Sequence, residues 1–127
     1  MAKRNGFHHT ALRVKDFDAA VAFYEALGCS VKLIWDNRGS RSCLMDIGGN
    51  NCLEIHSLGK DAEEDAPRFE HIALATDDPD ADFTAALAAG ARPRIEPKDV
   101  NLGGDFPARI AFVVGPNDEV IEFFKER

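Results

Sequence analysis

The sequence lacks the features that mark secreted, membrane-spanning and zinc-knuckle proteins. Its cysteines, Cys29, Cys43 and Cys52, are odd in number and show no CxxC spacing, so neither a disulfide framework nor a cysteine zinc site is expected. We interpret them as small buried hydrophobic residues. No apolar run approaches membrane-spanning length. Residues 1–6 include the basic Lys3 and Arg4, but no apolar stretch follows them. We therefore expect a cytoplasmic protein that does not insert into membranes.

Basic residues are also too few for a nucleic-acid-binding protein. The 127 residues include 15 Lys and Arg against 22 Asp and Glu, which gives a formal charge of −7. Because nucleic acids are bound largely through clustered Lys and Arg, we expect no nucleic-acid partner. A hydrophobic content of 45% with 29% charged residues is ordinary for a globular protein. The length suits a single domain, residues 1–127, rather than two independent ones.

What the sequence does contain is an internal repeat. An offset of 62 residues places His9-Thr10-Ala11-Leu12 on His71-Ile72-Ala73-Leu74, and a slightly longer offset of 68 residues places Glu54 on Glu122. We predict two modules, residues 7–58 and 69–127. The segment between them, residues 59–68, is rich in acidic side chains and is expected to form a solvated linker.

Both modules show the same predicted order of a strand, a helix and three strands, so the expected fold class is α+β with paired βαβββ modules. Residues 97–107, which carry Gly103 and Gly104, are predicted to be an irregular, mobile lid. The predicted strands are 7–14, 30–35, 41–47 and 51–57 in the first module and 69–76, 92–96, 109–114 and 119–124 in the second. The predicted helices begin at Asp16 and Asp77 and are ended by Gly28 and Gly90.

Four polar residues interrupt the apolar pattern of these strands: His9, Glu54, His71 and Glu122. Alternation along a strand places each of them on the face that does not pack against the helix. Taken singly, each has an ordinary explanation, because a strand histidine is usually hydrogen-bonded and a hairpin glutamate usually faces solvent. Their recurrence in both modules favours a shared metal site instead.

Two further histidines lack the support of the repeat. His8 points to the helix side or to the end of the chain, and His56 matches Phe124 in the second module. We therefore leave both out of the predicted site. The remaining two imidazoles and two carboxylates form a mixed nitrogen and oxygen set, which suits Ni²⁺, Co²⁺, Zn²⁺, Mn²⁺ or Fe²⁺ better than metals that prefer thiolates.

Four segments carry a family resemblance over essentially the whole chain: residues 9–16, 22–28, 70–74 and 115–122. They resemble the vicinal oxygen chelate superfamily and, within it, the glyoxalase I (lactoylglutathione lyase) family. The resemblance implies paired βαβββ modules forming an open, barrel-like mixed sheet around one divalent metal per chain. It also implies a homodimer whose metal sites are shared between subunits. Position by position, it assigns the metal ligands to His9, Glu54, His71 and Glu122.

The resemblance further implies the reaction of a metal-dependent lyase or isomerase. Its substrate would be the hemithioacetal of a 2-oxoaldehyde and a thiol, processed through a metal-bound enediolate while a carboxylate moves the proton. Glu122 is the expected base, with Glu54 as ligand and catalytic partner. Arg13 matches an arginine that the family uses near glutathione, and Lys98 is a second candidate for binding the thiol adduct. The residues after Glu54 lack the asparagine expected for glutathione, so another thiol remains open.

Two other function classes stay open. The first is another metal reaction of the superfamily, such as an acyl-CoA epimerase, a thiol transferase or an extradiol dioxygenase. Epimerases tend to carry glutamine where Glu54 stands, and the transferases and dioxygenases use two histidines with one carboxylate, so a fourth ligand counts against all of them. The second is a non-catalytic small-molecule binding protein resembling the bleomycin-resistance proteins, which generally lack the four ligands.

Overall fold

The computed structural model describes residues 4–37, 39–58 and 67–127, and the chain divides into two compact units. The first unit spans residues 9–70. The second spans residues 71–127 together with the chain up to His8. Residues 59–66, most of the predicted acidic linker, lie outside the described residues.

In the first unit, the described residues form one helix and a four-stranded sheet. Its elements are β1 (Arg4–Val14, which enters this unit at His9), α1 (Phe17–Ala26), β2 (Ser30–Asn37), β3 (Ser40–Gly48) and β4 (Asn51–Ser57). The strand order is β2-β3-β4-β1. Strand β1 runs parallel to β4, and the other neighbours are antiparallel.

The second unit repeats this plan. Its elements are β5 (Arg68–Thr76, which enters this unit at His71), α2 (Pro79–Ala88), β6 (Arg92–Leu102), β7 (Phe106–Val114) and β8 (Val120–Glu126). The strand order is β5-β8-β7-β6, with β5 parallel to β8 and the remaining pairs antiparallel. The predicted α+β class and the paired βαβββ modules are confirmed.

Matching residues begin and end the two helices. Asp16 and Asp78 are the N-caps, and each side chain accepts a hydrogen bond from the backbone N–H three residues later, at 3.0 and 3.1 Å. Such caps satisfy donors that the first helical turn leaves unpaired. After each helix the chain turns at Gly28 (φ 97°) and Gly90 (φ 108°), a conformation that favours glycine.

The helices cover one face of each sheet, as the alternation predicts. In the first unit Leu12 and Val14 pack against a buried cluster that includes Phe17 from α1. In the second unit Leu74 packs against the corresponding cluster around Phe83 from α2. Burying each large apolar side chain contributes about 1.5–3 kcal/mol, so these clusters hold helix and sheet together.

The predicted lid at residues 97–107 is wrong, because this segment forms a β-hairpin. Strand β6 continues to Leu102, β7 begins at Phe106, and these two residues pair across the turn. Both pack against a buried cluster around Ile110 and Phe124. The two glycines form the turn at positive φ, where the Asn101 amide donates a 2.7 Å hydrogen bond to the Gly104 carbonyl.

The three cysteines are free thiols. Cys43 and Cys52 are buried, whereas Cys29 is half-buried. Burial raises the pKa of the Cys43 thiol to about 11, so that side chain stays protonated at neutral pH and is a poor nucleophile or metal ligand. Within the described parts of the chain, neither helix has the length and apolar character needed to cross a membrane.

Candidate metal site

The first unit brings His9 and Glu54 together on adjacent parallel strands. The register of β1 and β4 pairs Ala11 with Glu54, and His9 lies two residues earlier on the same face. His9 Nε2 is 3.4 Å from Glu54 Oε1. Both side chains are buried, with relative exposures of 1% and 6%. The predicted pair therefore meets away from bulk water.

The second unit repeats the arrangement between β5 and β8. Ala73 pairs with Glu122, and His71 again lies two residues earlier on the same face. His71 Nε2 is 3.1 Å from Glu122 Oε1, and both side chains are buried. The sequence repeat is thus preserved in strand register and in the contact between donor atoms.

Small residues opposite the glutamates make room for their carboxylates. Ala11 and Ala73 are both fully buried, so a larger side chain at either position would enter the space that the carboxylate uses. On the other side, Glu54 pairs with Leu44 of β3, and Glu122 pairs with Phe112 of β7. The Phe112 ring also packs edge-on against His71, with 5.1 Å between ring centroids. Such packing restricts the orientation of that imidazole.

The Glu54 carboxylate has a further contact with His56, a residue outside the predicted site. His56 Nε2 lies 2.6 Å from Glu54 Oε1, and His56 Nδ1 lies 2.6 Å from the Ser42 hydroxyl. In the second unit the matching position is Phe124, whose ring packs against His8 with 4.0 Å between centroids. Alternation along β4 already placed His56 on the face of Glu54, but its partner Ser42 depends on the pairing of β3 with β4.

These neighbours make Glu54 a strongly acidic group. Burial alone would raise its pKa, but the charge of His9 and hydrogen bonds from His56 and His9 outweigh burial and hold the pKa well below its usual range. Glu54 is therefore an ionised carboxylate at neutral pH. An anionic oxygen beside an imidazole nitrogen is a donor pair that divalent metals bind well.

The geometry of each pair fits a divalent ion. Ligand atoms about 2.0–2.1 Å from one metal are separated by about 3 Å when they subtend a right angle and by about 3.4 Å in a tetrahedron. The His–Glu separations of 3.1 and 3.4 Å lie in this range. All four side chains are buried and project from strands, which hold ligands more rigidly than loops do.

The two predicted substrate-binding residues differ in their surroundings. Arg13 is half-buried on β1, pairs with His56 across β1 and β4, and places Nε 3.6 Å from a Glu70 carboxylate oxygen. Lys98 is exposed on β6 of the hairpin, opposite Ile110. Arg13 therefore shares the face of His9 and Glu54, whereas Lys98 lies on an extended strand rather than in a lid.

An apolar groove in the first unit lies away from these donors. It has a volume of about 570 Å³ and is lined by side chains that include Tyr24, Leu27 and Leu53. Leu53 points to the helix-covered face of the sheet, whereas its neighbour Glu54 points to the other face. The groove is therefore separate from the candidate metal ligands.

Comparison with known proteins identifies the family. The model of the glyoxalase/bleomycin resistance protein/dioxygenase superfamily matches residues 6–123. The chain belongs to this superfamily. Lactoylglutathione lyase from Haemophilus influenzae is 32% identical over 94% of this chain and 91% of its own length. A probable lactoylglutathione lyase from Vibrio parahaemolyticus is 30% identical over 94% of this chain and 89% of its own length.

A solved structure gives the same fold with a different activity. Methylmalonyl-CoA epimerase from Mycobacterium tuberculosis superposes with a TM-score of 0.78 at 23% identity, over 96% of this chain and 88% of its own. The proteins that share sequence or fold with this chain thus include a lyase, by sequence, and an epimerase, by fold. Fold similarity at this identity does not select between them.

The acidity of Glu54 predicts a pH-dependent stability of the metal-free protein. Because the pKa of Glu54 is lower in the folded than in the unfolded chain, its stabilising contribution is present above the unfolded value, about 4.3. This contribution is lost as pH falls toward the folded pKa. We expect the free energy of unfolding of Glu54→Gln to fall less than that of the wild type between about pH 6 and pH 3.

Urea titrations of the chelator-treated proteins across this pH range measure the effect. The control is Glu25→Gln, which alters an exposed glutamate on α1 of the same unit. Its unfolding free energy should follow the wild-type pH curve. Parallel curves for wild type and Glu54→Gln would contradict the assignment of a depressed pKa to Glu54.

Proposed function

We propose that this protein is a divalent-metal-dependent lyase of glyoxalase I type. The observation that carries the proposal is the duplicated pair of a buried histidine and a buried glutamate, held in the same register in both units. The relation to the Haemophilus influenzae lactoylglutathione lyase supports a thiol adduct as the substrate. The reaction would convert the hemithioacetal of a 2-oxoaldehyde into the thioester of a 2-hydroxy acid.

His9, Glu54, His71 and Glu122 would hold one divalent ion per chain. When bound, such an ion would stabilise the negative charge that develops on neighbouring substrate oxygens. The nitrogen and oxygen donors suit Ni²⁺, Co²⁺, Zn²⁺, Mn²⁺ or Fe²⁺. Holding four ligands on paired strands would keep the substrate oxygens in one orientation relative to the carboxylates.

The chemical step is a proton transfer within the substrate. In our proposal Glu122 takes the proton from the carbon that carries sulfur and hydroxyl, then returns it to the neighbouring carbonyl carbon. The hydroxyl gives up its O–H proton and becomes the thioester carbonyl, while the original carbonyl oxygen gains a proton and becomes the hydroxyl. Atoms and electrons balance without an oxidant or reductant.

The surroundings of the two glutamates support different roles. Glu54 contacts both His9 and His56, and these groups favour its ionised form, which makes it a weak base and a good anionic ligand. Glu122 hydrogen-bonds with His71, and Phe124 takes the place that His56 has in the first unit. As the family resemblance implies, we assign the base to Glu122 and the supporting role to Glu54, whose contacts favour its ionised form.

Arg13 and Lys98 are our candidates for binding the charged end of the thiol. A thiol adduct such as that of glutathione carries carboxylates, which guanidinium and ammonium groups bind through charge-assisted hydrogen bonds. Arg13 lies on the face of His9, where its present partner is Glu70. A substrate carboxylate would have to compete with that glutamate.

An acyl-CoA epimerase is the second candidate, because its reaction also moves a proton alpha to a carbonyl. The fold similarity to the Mycobacterium tuberculosis enzyme keeps this class open. Both reactions need an ionised base and stabilisation of negative charge on oxygen. Assays with a hemithioacetal and with a branched acyl-CoA, on the same metal-loaded sample, distinguish them.

Metal binding is the first prediction of this function. We expect purified protein to bind about one Ni²⁺, Co²⁺ or Zn²⁺ per chain. His71→Ala should weaken the metal affinity by about 100-fold or more, because loss of a ligand lowers affinity more than the 10–100-fold typical of residues behind the ligands. Elemental analysis and competitive titration measure both. His8→Ala, which alters a buried histidine outside the four ligands, is the control. Unchanged affinity in His71→Ala would remove His71 from the site.

We also propose a homodimer whose metal sites are shared, with His9 and Glu54 from one chain and His71 and Glu122 from the other. Mixing His9→Ala chains with His71→Ala chains tests this arrangement. A mixed dimer would contain one site with both defects and one intact site, so tight metal binding should return at one ion per dimer. If each site lies within one chain, every site keeps a defect and mixing restores nothing.

The proton-transfer role gives a kinetic prediction. In metal-saturated Glu122→Gln we expect turnover of the methylglyoxal–glutathione hemithioacetal to fall by about 10²–10⁴-fold. The substrate KM should change little, because the amide keeps the shape but cannot accept the proton. Metal content is measured on the same sample, so that an empty site is not mistaken for a lost base.

Solvent exchange provides the matching measurement on the wild type. During turnover in deuterated water, deuterium should appear in the product or in recovered substrate if an enzyme group carries the proton. Wild-type protein that binds metal but neither converts the hemithioacetal nor exchanges its proton would exclude the glyoxalase I reaction. Activity on the acyl-CoA substrate would then favour the epimerase.

A further inference from the structure

Three side chains of the first unit form a continuous hydrogen-bonded chain that ends at a candidate metal ligand. The Ser42 hydroxyl is 2.6 Å from His56 Nδ1, and His56 Nε2 is 2.6 Å from Glu54 Oε1. Ser42 lies on β3 directly opposite His56 on β4, and its relative exposure is 1%. The contacts therefore rest on paired strands rather than on a mobile loop.

The chemistry of the three groups gives the chain a direction. An ionised carboxylate only accepts hydrogen bonds, so Nε2 of His56 carries a proton and donates it to Glu54. In the neutral ring, Nδ1 is then an acceptor, and the Ser42 hydroxyl donates to it. Both ring nitrogens are thus used, and these two contacts restrict the orientation of the ring.

The fixed ring also fixes the carboxylate. The short hydrogen bond from His56 reaches Oε1, the oxygen that lies 3.4 Å from His9 Nε2, so it restricts the position of the atom that faces the other candidate ligand. Without that contact, burial and His9 alone would restrict the Glu54 side chain, and metal binding would have to overcome more rotational freedom. Residues behind the ligands commonly hold them in this way and raise metal affinity.

We propose that His56 is the positioning residue for Glu54 and that Ser42 holds the His56 ring in place. This inference rests on the proposed function, because it treats Glu54 as a metal ligand. It also distinguishes the two units, because Phe124 takes the matching position in the second unit.

A packing role for His56 is the alternative to be separated by experiment. The His56 side chain is 23% exposed, and its ring packs edge-on against Trp35 with 6.5 Å between centroids. If packing were its role, an apolar replacement would preserve metal binding. If hydrogen bonding is its role, a polar replacement that donates from the same place would preserve it.

Cobalt binding to the full-length protein separates these roles. Co²⁺ titrations of wild type, His56→Leu, His56→Gln and Ser42→Ala give affinity and the visible absorption of the bound ion, which reports ligand geometry. We expect His56→Leu to weaken binding by about 10–100-fold and to alter the spectrum. His56→Gln, whose amide can donate to Glu54, should keep most of the affinity, and Ser42→Ala should weaken it less than His56→Leu does.

The matched control is His8→Leu, which makes the same replacement at a buried histidine outside the proposed machinery. It should bind Co²⁺ as the wild type does. Far-ultraviolet circular dichroism and thermal unfolding confirm that each variant folds. If His56→Leu does not fold, Ser42→Ala and His56→Gln decide the question, since Ser42→Ala leaves β4 unchanged.

Three outcomes would overturn the inference. Wild-type affinity and spectrum in folded His56→Leu would show that Glu54 needs no such support. A His56→Gln variant as weak as His56→Leu, or an unchanged Ser42→Ala, would show that the hydrogen-bonded chain is not what matters. Wild-type protein that binds neither Co²⁺, Ni²⁺ nor Zn²⁺ would overturn the proposed function together with this inference, whereas the other outcomes leave metal binding intact.

Discussion

The candidate site depends on the register between the first and last strands of each module. In both parallel pairs an alanine faces the glutamate, and the histidine lies two residues earlier. A shift by one residue would turn the histidine to the opposite face of the sheet. Fully buried Ala11 and Ala73 keep the space beside the carboxylates open, so both the small and the polar residues of the repeat serve one arrangement.

The two copies of this arrangement differ where the sequence repeat breaks. His56 in the first unit connects Glu54 to Ser42, whereas Phe124 in the second packs against His8 and the hydrophobic cluster around Ile110. In our proposal Glu54 is accordingly the firmly held anionic ligand, and Glu122 is the base. The same principle of unequal surroundings separates acid and base roles in many enzymes with two carboxylates.

The order of the elements could be predicted from the sequence because the signals are local. Asp16 and Asp78 cap their helices, Gly28 and Gly90 follow them, and alternation marks the strands. The prediction failed at residues 97–107, where Pro97 and register shifts along β6 interrupt the alternation. Pairing with β7 stabilises that strand, and such pairing is a long-range property that a single segment does not display.

The sequence by itself determined the βαβββ modules and the types of the four candidate ligands, because period-two alternation and a repeat can be read along one chain. The superfamily followed from the resemblance of four segments to known members. Only the tertiary structure decided that Ser42 meets His56 and that His56 meets Glu54. The contact between Ser42 and His56 depends on the register of β3 against β4, which includes a shift between Asp46 and Gly48. Residues far apart in sequence share a hydrogen bond only when strand pairing fixes their relative position.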